Sequence, residues 1–396
     1  MGNIFRDEKD NKFNPAKSKI IELFINNGNS TNNDLAKELG LSVPTVAKLV
    51  GELNEEGFVN EYGKLETAEG RKPTLYGLNP DSGYFVGVDI RKSSVDIGII
   101  NFRGDLVALC ENEPIDIENT LESLNKLSEV TLDFINKSGV DKKKIFNVNF
   151  NISGRVNPDS GYSYSIFNFS EEPLTRLLSE KLQLNASIEN DTRAMTYGEY
   201  LKGQGNGEQH VLFINLSWGL GMGIIIDGKL YKGKSGYAGE LGHIHAFDNE
   251  VLCQCGKKGC LETEASGTAF LRIVKERLSK GETSVLSGTP VDELTLEMVV
   301  DALQHEDPLC IDIVEQMGFA LGGTLAGIIN IFNPELVIIG GTLSIAGDYL
   351  IHPIKSAVIK NSLNLVNRDT RIVLSKLREK AGVIGACMMA RKLALD

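Results

Sequence analysis

The 396-residue chain lacks the features that would assign it to a membrane, to the secretory route or to a wholly basic nucleic-acid binder. No apolar run approaches the roughly 20 residues that a membrane span needs. The first residues, MGNIFRDEKDNKFN, are polar, and Arg6 stands where a myristoylation motif has Ser or Thr. The formal net charge of −12 excludes one large platform for nucleic acid. We therefore expect a cytoplasmic protein with no membrane partner.

Cysteine is also scarce, with six residues in the whole chain, yet three of them lie close together. His243, Cys253, Cys255 and Cys260 form the pattern H-x9-C-x-C-x4-C. In a reducing compartment, clustered thiols indicate a metal rather than disulfides. One imidazole and three thiolates complete a tetrahedral zinc ion and leave no open position for catalysis. We predict a structural Zn²⁺ site; thiols that hold no metal are the alternative.

The first 80 residues have the pattern of a winged helix-turn-helix. Apolar residues at helical spacing predict a first helix, and Thr31 and Ser42 are placed to cap a second and a third. Gly40 permits a sharp turn between those two helices. The stretch from Phe58 to Asn79 predicts a β-hairpin. Two short helices around a turn, followed by a hairpin, are typical of this DNA-binding fold.

DNA contact by this domain depends on a few side chains, because residues 1–80 hold 10 Lys and Arg against 12 Asp and Glu. Ser42, Thr45 and Lys48 lie on the start of the third helix, the part that enters a major groove. Lys17 and Lys19 begin the first helix, where they can meet phosphates. We predict operator binding; a winged helix used for protein contacts is the alternative.

Beyond Pro80, strands alternate with helices, which predicts an α/β architecture. A strand, a turn and a second strand occur twice, at Asp89 and at Gly219, and indicate two related lobes with a cleft between them. The predicted domains are residues 1–80 for the winged helix, 81–190 with about 381–396 for the first lobe, and 191–380 for the second. The second lobe is expected to carry the zinc site and an oligomerisation surface.

The stretch LSWGLGMGIIIDGKLYKGKSGYAGELGH, from Leu216 to His243, resembles the signature of the ROK family (repressor, open reading frame, kinase). Its glycines fall where that signature has them, and CQCGKKGCLE follows at the family's zinc position. With the winged helix, the chain resembles the regulators of the xylose-repressor and N-acetylglucosamine-repressor type. The resemblance implies a two-lobed actin-like/ribonuclease-H-like sugar-kinase fold behind the N-terminal winged helix-turn-helix.

The resemblance also implies a set of sugar ligands. Asp191 matches the general base of the family's kinases, and His243 would bind the metal through one ring nitrogen and a sugar hydroxyl through the other. EGRKP, with Arg71 and Lys72, resembles a basic element after the wing that reaches DNA. The implied sugar-binding residues are Gly154, Asn168, Asn190, Asp191, Glu240, His243 and Glu262.

The nucleotide-binding turns depart from the family pattern. In the kinases the first strand ends in Asp-x-Gly-Gly-Thr, but here Asp89 is followed by Arg91 and Lys92 at the glycine positions. Ser217-Trp218 replaces the usual Gly-Thr of the second turn, whereas Gly340-Gly341 keeps the turn on the adenosine side. Side chains at phosphate-turn glycines crowd the phosphates. We therefore expect no enzymatic activity.

These observations together predict a sugar-responsive transcriptional repressor of carbohydrate-utilisation genes. It would bind operator DNA through the winged helix and a monosaccharide effector in the interlobe cleft, as a homodimer, with a tetramer as the alternative. The competing hypothesis is an ATP-dependent kinase of a hexose or N-acetylhexosamine with a DNA-binding appendage, in which Asp191 is the catalytic base. A third is a sugar-binding scaffold that docks another protein.

Overall fold

The computed structural model describes residues 15–65 and 72–395. The chain divides into two compact units. The first comprises Met1–Ile152, Pro158–Glu189 and Ala386–Asp396, and the second comprises Ser153–Asn157 and Asn190–Gly385. The N-terminal helices therefore share a unit with the first α/β sheet. The three-domain division stays a prediction.

Three helices and a small sheet form the N-terminal part of the first unit. Thr31 caps the second helix in a reciprocal pair with Asp34, and Gly40 takes a φ of 64° at its end. Ser42 then accepts the backbone N–H of Thr45 at the start of the third helix. The elements are α1 (Pro15–Asn27), β1 (Ser30–Thr31), α2 (Asn32–Leu39), α3 (Val43–Glu55), β2 (Val59–Lys64) and β3 (Thr74–Leu78), with the strand order β1-β3-β2. This is the winged helix-turn-helix that the sequence predicts.

A five-stranded mixed sheet follows in the first unit, with the order β10-β7-β4-β5-β6. The strand of this sheet that comes first in the sequence, β4 (Tyr84–Ile90), pairs antiparallel with β5 (Ser94–Asn101) and parallel with β7 (Ile145–Ile152). Gly87 on this strand lets the last helix of the chain approach, since a Cβ there would lie 2.3 Å from the backbone nitrogen of Cys387. The elements are β4 (Tyr84–Ile90), β5 (Ser94–Asn101), β6 (Leu106–Pro114), α4 (Leu121–Lys137), β7 (Ile145–Ile152), β8 (Val156–Asn157, in the second unit), β9 (Tyr162–Ser163), α5 (Leu174–Leu182) and β10 (Ala186–Asn190).

An aromatic cluster joins the winged helix to this sheet within the first unit. The ring of Phe58, just before β2, lies 5.5 Å from that of Phe102 and 6.4 Å from that of Phe146. Phe85 on β4 stacks on Phe102 at 5.9 Å. Such aromatic pairs add about 0.5–1.5 kcal/mol each beyond their buried area. The DNA-binding fold is thus packed against the first sheet.

The second unit holds another five-stranded sheet, with the order β13-β12-β11-β14-β15. Its core runs between this sheet and the long helices, and includes Phe270, Met317 and Leu350. The elements are α6 (Asp191–Lys202), β11 (Val211–Leu216), β12 (Leu220–Ile226), β13 (Lys229–Leu230), α7 (Gly267–Ser279), α8 (Leu296–Gln304), α9 (Pro308–Phe332), β14 (Leu336–Gly340), α10 (Asp348–Asn361), α11 (Asn364–Asp369) and β15 (Arg371–Leu374). The last helix, α12 (Ala381–Leu395), begins in this unit, and its residues from Ala386 onward belong to the first.

The two sheets have the same strand order. In each, the first three strands in sequence form an antiparallel meander, the fourth pairs parallel with the first, and the fifth lies beyond the fourth. The repeated strand–turn–strand unit of the sequence corresponds to β4–β5 in the first unit and to β11–β12 in the second. The architecture is therefore the mixed α/β, sugar-kinase-like fold behind a winged helix.

Helix α9 was not anticipated as a candidate span. Pro308–Phe332 is long and apolar enough to cross a membrane by length and composition, although no apolar run of that length was expected. Glycines and polar residues interrupt the apolar residues of this helix, so the sequence shows no long run of consecutive apolar residues there. More than half of its most apolar window, 56%, is buried inside the protein. Gly318 and Gly322 let α10 pack closely on it, because a Cβ at either would lie 3.0 Å or less from α10 atoms.

Candidate functional site

The four predicted metal ligands come together in the second unit. Their donor atoms all lie within 4.8 Å of one another. The Nδ1 of His243 is 3.6 Å from the Sγ of Cys253, and the Sγ atoms of Cys255 and Cys260 are also 3.6 Å apart. A Zn–S bond of about 2.3 Å in a tetrahedral site places two sulfurs about 3.8 Å apart. The distances and the sulfur-rich donor set fit one tetrahedral metal ion.

Tight backbone turns bring the thiols together. Gly256 and Gly259 have φ angles of 85° and 74°, a region that residues with a Cβ rarely adopt. A Cβ on Gly259 would lie 2.2 Å from the carbonyl oxygen of Phe247. Burial raises the pKa of the Cys253 and Cys260 thiols, whereas hydrogen bonding from the backbone N–H of Lys257 lowers the pKa of Cys255. A bound cation would hold all three thiols as thiolates.

His243 turns its two nitrogens toward different partners. Its Nδ1 lies among the thiols, while its Nε2 is 3.7 Å from the Oε2 of Glu240. The imidazole is half-buried, with 34% of its side chain exposed. A metal on Nδ1 would leave the Nε2 protonated, and so able to donate a hydrogen bond. The ring thus joins the metal cluster to a carboxylate that the resemblance assigns to sugar.

Glu262 connects the same cluster to the glycine turn of β11–β12. The carboxylate is buried, and its Oε2 accepts the backbone N–H of Leu220 at 3.0 Å. Its Oε1 lies 3.6 Å from the Sγ of Cys253. A Cβ on Gly219 would be only 2.8 Å from the Oε2 of Glu262. The turn therefore needs a residue without a side chain beside this carboxylate.

A second group of polar residues surrounds Asp191 at the start of α6. Ser153 donates its hydroxyl hydrogen to Oδ2, and the Thr192 backbone N–H donates to Oδ1 at 2.6 Å. The Nδ2 of Asn190 donates to Oδ1 of Asp191 at 3.0 Å and to the Gly154 carbonyl at 2.9 Å. Burial raises the pKa of Asp191 above its ordinary value, and these hydrogen bonds oppose the rise. The carboxylate is fixed as an acceptor.

Asn168 lies in the first unit, where a neighbouring amide orients it. The Nδ2 of Asn119 donates to the Oδ1 of Asn168 at 2.6 Å, and the Asn168 backbone N–H donates to the Oδ1 of Asn119 at 2.9 Å. The preceding residue, Phe167, is buried with a φ of 56°, a strained conformation for a large side chain. The side chain of Asn168 is exposed and held in one orientation.

Three contacts near these groups were missed from the sequence. Asn119 has no motif and lies 49 residues before its partner. Ser153 stands beside Gly154 in NISGRVN, and no motif distinguishes it. Arg193 follows Asp191 by two residues, and its 3% exposure indicates a role inside the second unit. In the sequence, the signal for Arg193 is its position in the same polar motif as Asp191. Its burial, which is unusual for a charged residue, is seen only in the structure.

The predicted DNA contacts are only partly available. Ser42 and Thr45 are exposed and bond to each other through their hydroxyls at 2.7 Å, and the side chain of Lys48 is 78% exposed. Lys72 is exposed, whereas Arg71 lies outside the described residues. The expectation for Lys17 is wrong, because its ammonium lies 2.6 Å from Glu56 and 3.0 Å from Glu52 and only 12% of the side chain is exposed.

The first phosphate turn contains an ion pair. The guanidinium of Arg91 donates to the buried Asp96, and its Nε lies 3.9 Å from Asp89. Asp89 also accepts the Nδ2 of Asn151 at 2.9 Å. Asp89 and Asp96 are 3% and 1% exposed. Asp89, the carboxylate that matches the family pattern, is therefore bonded to other residues of the protein.

The second and third turns are bonded to each other. The hydroxyl of Ser217 donates to the Oδ1 of Asn215 at 2.7 Å and accepts the backbone N–H of Thr342 at 3.2 Å. Gly341 has a φ of 84°, and a Cβ there would lie 2.5 Å from the Oδ1 of Asn215. The third turn thus keeps its glycine backbone, whereas the hydroxyl of Ser217 beside it is hydrogen-bonded within the protein.

Comparison with known proteins agrees with this fold. The profile of the ROK family matches residues 86–393, and a winged helix-turn-helix DNA-binding profile matches residues 13–60. A solved structure described as a ROK family transcriptional regulator, homologue of the Escherichia coli MLC protein, is 27% identical. Its TM-score is 0.81, with 96% of this chain and 95% of that chain covered.

Curated relatives include both regulators and enzymes. A xylose repressor from Caldicellulosiruptor bescii is 30% identical over 385 residues, which cover 94% of each chain. A glucokinase from Thermotoga maritima is 30% identical over 314 residues, which cover 78% of this chain and 97% of the glucokinase. The glucokinase match is thus the shorter of the two, while the repressor matches almost the whole length. The chain belongs to the ROK family and, with its N-terminal winged helix-turn-helix, is similar along its length to the family's transcriptional regulators.

Proposed function

We propose that this protein is a cytoplasmic, sugar-responsive transcriptional repressor of carbohydrate-utilisation genes. The winged helix binds operator DNA, and a monosaccharide effector binds the polar residues around Asp191 and His243. The cluster of His243 and three cysteines holds a structural zinc ion. A reducing compartment keeps those thiols available for the metal, which supports a cytoplasmic location.

The observation that carries the proposal is the ion pair in the first phosphate turn. A kinase needs open backbone N–H groups there to bind the phosphates of ATP. In this chain Arg91 is bonded to the buried Asp96, and the Oδ1 of Asp89 accepts a hydrogen bond from Asn151. A side chain at position 91 also restricts the φ angle that a phosphate turn uses. The protein therefore binds sugar without transferring a phosphoryl group.

Sugar recognition is supported by the chemistry of the second unit. A pyranose offers several hydroxyls, which carboxylates accept and an imidazole N–H donates to. Asp191, Glu240 and Glu262 provide carboxylates, and the half-buried His243 provides the nitrogen. Each is already oriented by protein contacts, so little ordering is required on binding. A sugar that lacks one hydroxyl would leave a buried polar group unpaired, which gives selectivity.

Operator binding is supported by the exposed start of α3. Lys48 is available for phosphate contact, while Thr45 reaches the base edges. Few basic residues give one domain modest affinity, so the proposal includes a homodimer on a two-fold operator site, with a tetramer as the alternative. Sugar lowers operator affinity in this account, and a coupling free energy of about 1–3 kcal/mol suffices, a change of about 5- to 150-fold.

The test begins with DNA fragments selected from the host genome by affinity to the purified protein. Titration of a selected fragment is repeated with D-xylose, D-glucose and N-acetyl-D-glucosamine. We expect one sugar to weaken DNA binding. In Lys48→Ala, affinity should fall about equally for all fragments and the slope of log affinity against log salt should decrease by about one unit. Failure to select any fragment would refute the DNA-binding role and favour a sugar-binding scaffold.

A sugar kinase is the second candidate, because Asp191 is retained beside Ser153 and can act as a general base. The glucokinase from Thermotoga maritima also matches 78% of the chain. This candidate predicts ADP release that depends on one of the three sugars and is abolished in Asp191→Asn. We expect no such release. Sugar-dependent ADP formation that Asp191→Asn eliminates would refute the proposal.

A further inference from the structure

Arg193 is a buried guanidinium that connects three segments of the second unit. It lies on the first turn of α6 and is 3% exposed. Its Nη1 donates to the carbonyl oxygen of Gly236, and its Nη2 donates to that of Val156 at 3.3 Å. A buried charge is expensive unless several hydrogen bonds satisfy it. The guanidinium of Arg193 donates to backbone carbonyls of two separate segments.

Each of the connected segments carries a proposed sugar ligand. Val156 follows Gly154 by two residues, and Gly236 precedes Glu240 by four. Arg193 itself follows Asp191 by two. A single side chain on the helix that carries Asp191 therefore reaches the backbone of both other segments.

The segment of Gly236 contains little regular structure of its own. Between the end of β13 at Leu230 and the short turn that starts at Leu241, no helix or strand is formed. The bonds that hold its path include the Met222 N–H to the Gly239 carbonyl at 3.0 Å and the Ala238 N–H to the Lys232 carbonyl at 3.2 Å. A loop without regular structure depends on such anchors and moves when one of them is removed.

We infer that Arg193 is a positioning residue of the sugar site, whose guanidinium fixes the loop of Glu240 and the segment of Gly154 relative to Asp191. The inference rests on the proposed sugar-binding function. It requires arginine in particular, because the planar guanidinium has five donors in fixed directions and reaches two carbonyls at once. A lysine keeps the charge but places all its donors on one nitrogen.

The central variant is Arg193→Lys, and Arg391→Lys is its matched control. Arg391 is 5% exposed, and its Nη1 donates to the backbone carbonyl of Arg103 at 2.9 Å. It belongs to the first unit, and Arg103 lies on a segment between β5 and β6 that carries no proposed sugar ligand. Both variants exchange a buried guanidinium for an ammonium, so general effects of that exchange appear in both.

The measurement is sugar affinity by calorimetry with whichever of D-xylose, D-glucose and N-acetyl-D-glucosamine the wild type binds. We expect Arg193→Lys to weaken affinity about 10- to 100-fold, since a displacement of about 1 Å in a positioned site has effects of that size. Zinc content and operator affinity without sugar should remain at wild-type levels. Arg391→Lys should bind sugar as the wild type does.

A rescue experiment separates positioning from general destabilisation. In Arg193→Gly, added methylguanidinium should restore sugar affinity, because the small cation supplies the missing donors, whereas methylammonium should not. Wild-type affinity in Arg193→Lys, or equal loss in Arg391→Lys, would overturn the inference and leave the proposed function intact. A wild type that binds none of the three sugars would overturn the proposed function, and this inference with it.

Discussion

The two units contain equivalent hairpins, β4–β5 and β11–β12, that differ in what fills their turns. In the first, the turn after Ile90 carries Arg91, which bonds to the buried Asp96. In the second, Gly219 occupies the turn and leaves space beside the carboxylate of Glu262. The strand order around both hairpins is the same. One turn is filled by the paired side chain of Arg91, whereas the other keeps a glycine, after Ser217 and Trp218, beside the carboxylate of Glu262.

The difference shows how one sheet topology can keep its fold while only one copy keeps a glycine beside a proposed sugar ligand. Loss of glycine in the first turn does not disturb β4–β5, because Arg91 and Asp96 satisfy each other there. Glycine is retained in the second turn, where a Cβ would contact a carboxylate tied to the metal cluster. Either turn is compatible with the fold, but only the second places a glycine beside a carboxylate that is proposed to bind sugar.

Loss of the metal should produce the largest effect and affect the second turn alone. Cys255→Ser removes one of four ligands, so we expect zinc content to fall from about one ion per chain to nearly none. Without the metal, His243 loses its fixed orientation, and sugar binding should be lost with it. Metal analysis and calorimetry measure both. Cys110→Ser, a half-buried thiol outside the cluster, is the control; sugar affinity retained without zinc would contradict the account.

Removal of Arg91 should break the first turn. Arg91→Ala leaves Asp96 and Asp89 buried with less compensation, and we expect about 3 kcal/mol of lost stability by denaturant unfolding. Lys92→Ala, at an exposed neighbouring position, should change stability by less than about 0.5 kcal/mol. Sugar affinity should be unchanged in both variants. Equal stability of the two variants would mean that the ion pair does not close this turn.

Asp191→Asn should weaken sugar binding by about 2 kcal/mol, because a hydrogen bond to a charged group becomes a neutral one. The same variant should change the pH dependence of stability. Burial raises the pKa of Asp191 above 3.8, so the folded state holds this proton more tightly than the unfolded chain does.

The contribution of Asp191 to the free energy of unfolding therefore falls as the pH rises from about 3.8 to its higher folded value. Unfolding in urea across that range should show Asp191→Asn gaining stability relative to the wild type as the pH increases. A difference that is constant with pH, or that shrinks, would contradict the raised pKa of this carboxylate.

The smallest effect is expected for a single methyl group in the second turn. In Gly219→Ala, the Cβ would lie 2.8 Å from the Oε2 of Glu262, which must shift slightly. We expect sugar affinity to fall by about 1 kcal/mol, at the lower end of overpacking effects. Ser93→Ala, in the first turn, should leave sugar affinity unchanged. An equal effect of the two substitutions would remove the distinction between the turns.

Much of this arrangement could be predicted from the sequence, because local patterns determine it. The spacing of His243, Cys253, Cys255 and Cys260 specifies a metal cluster, and the structure brings their donor atoms together. The caps at Thr31 and Ser42 specify the helices of the DNA-binding fold. Both are short-range features whose geometry follows from a few neighbouring residues.

Contacts between distant residues could not be predicted in the same way. The bonds of Asn119 to Asn168 and of Lys17 to Glu52 and Glu56 depend on how elements pack, and no local pattern encodes them. The position of Lys17 at the start of α1 predicts a phosphate contact. The packing of α1 against α3, which that position does not reveal, pairs the side chain with Glu52 and Glu56 instead. Arg91 was recognised as a departure from the family pattern, but its pairing with Asp96 required the fold.

Fluorescence anisotropy of a selected operator fragment, titrated with protein in the presence and absence of each sugar and without ATP, tests the central claim most directly. The account predicts that one monosaccharide alone shifts the midpoint by about 5- to 150-fold. An operator affinity that no sugar changes, or that changes only when ATP is present, would contradict it.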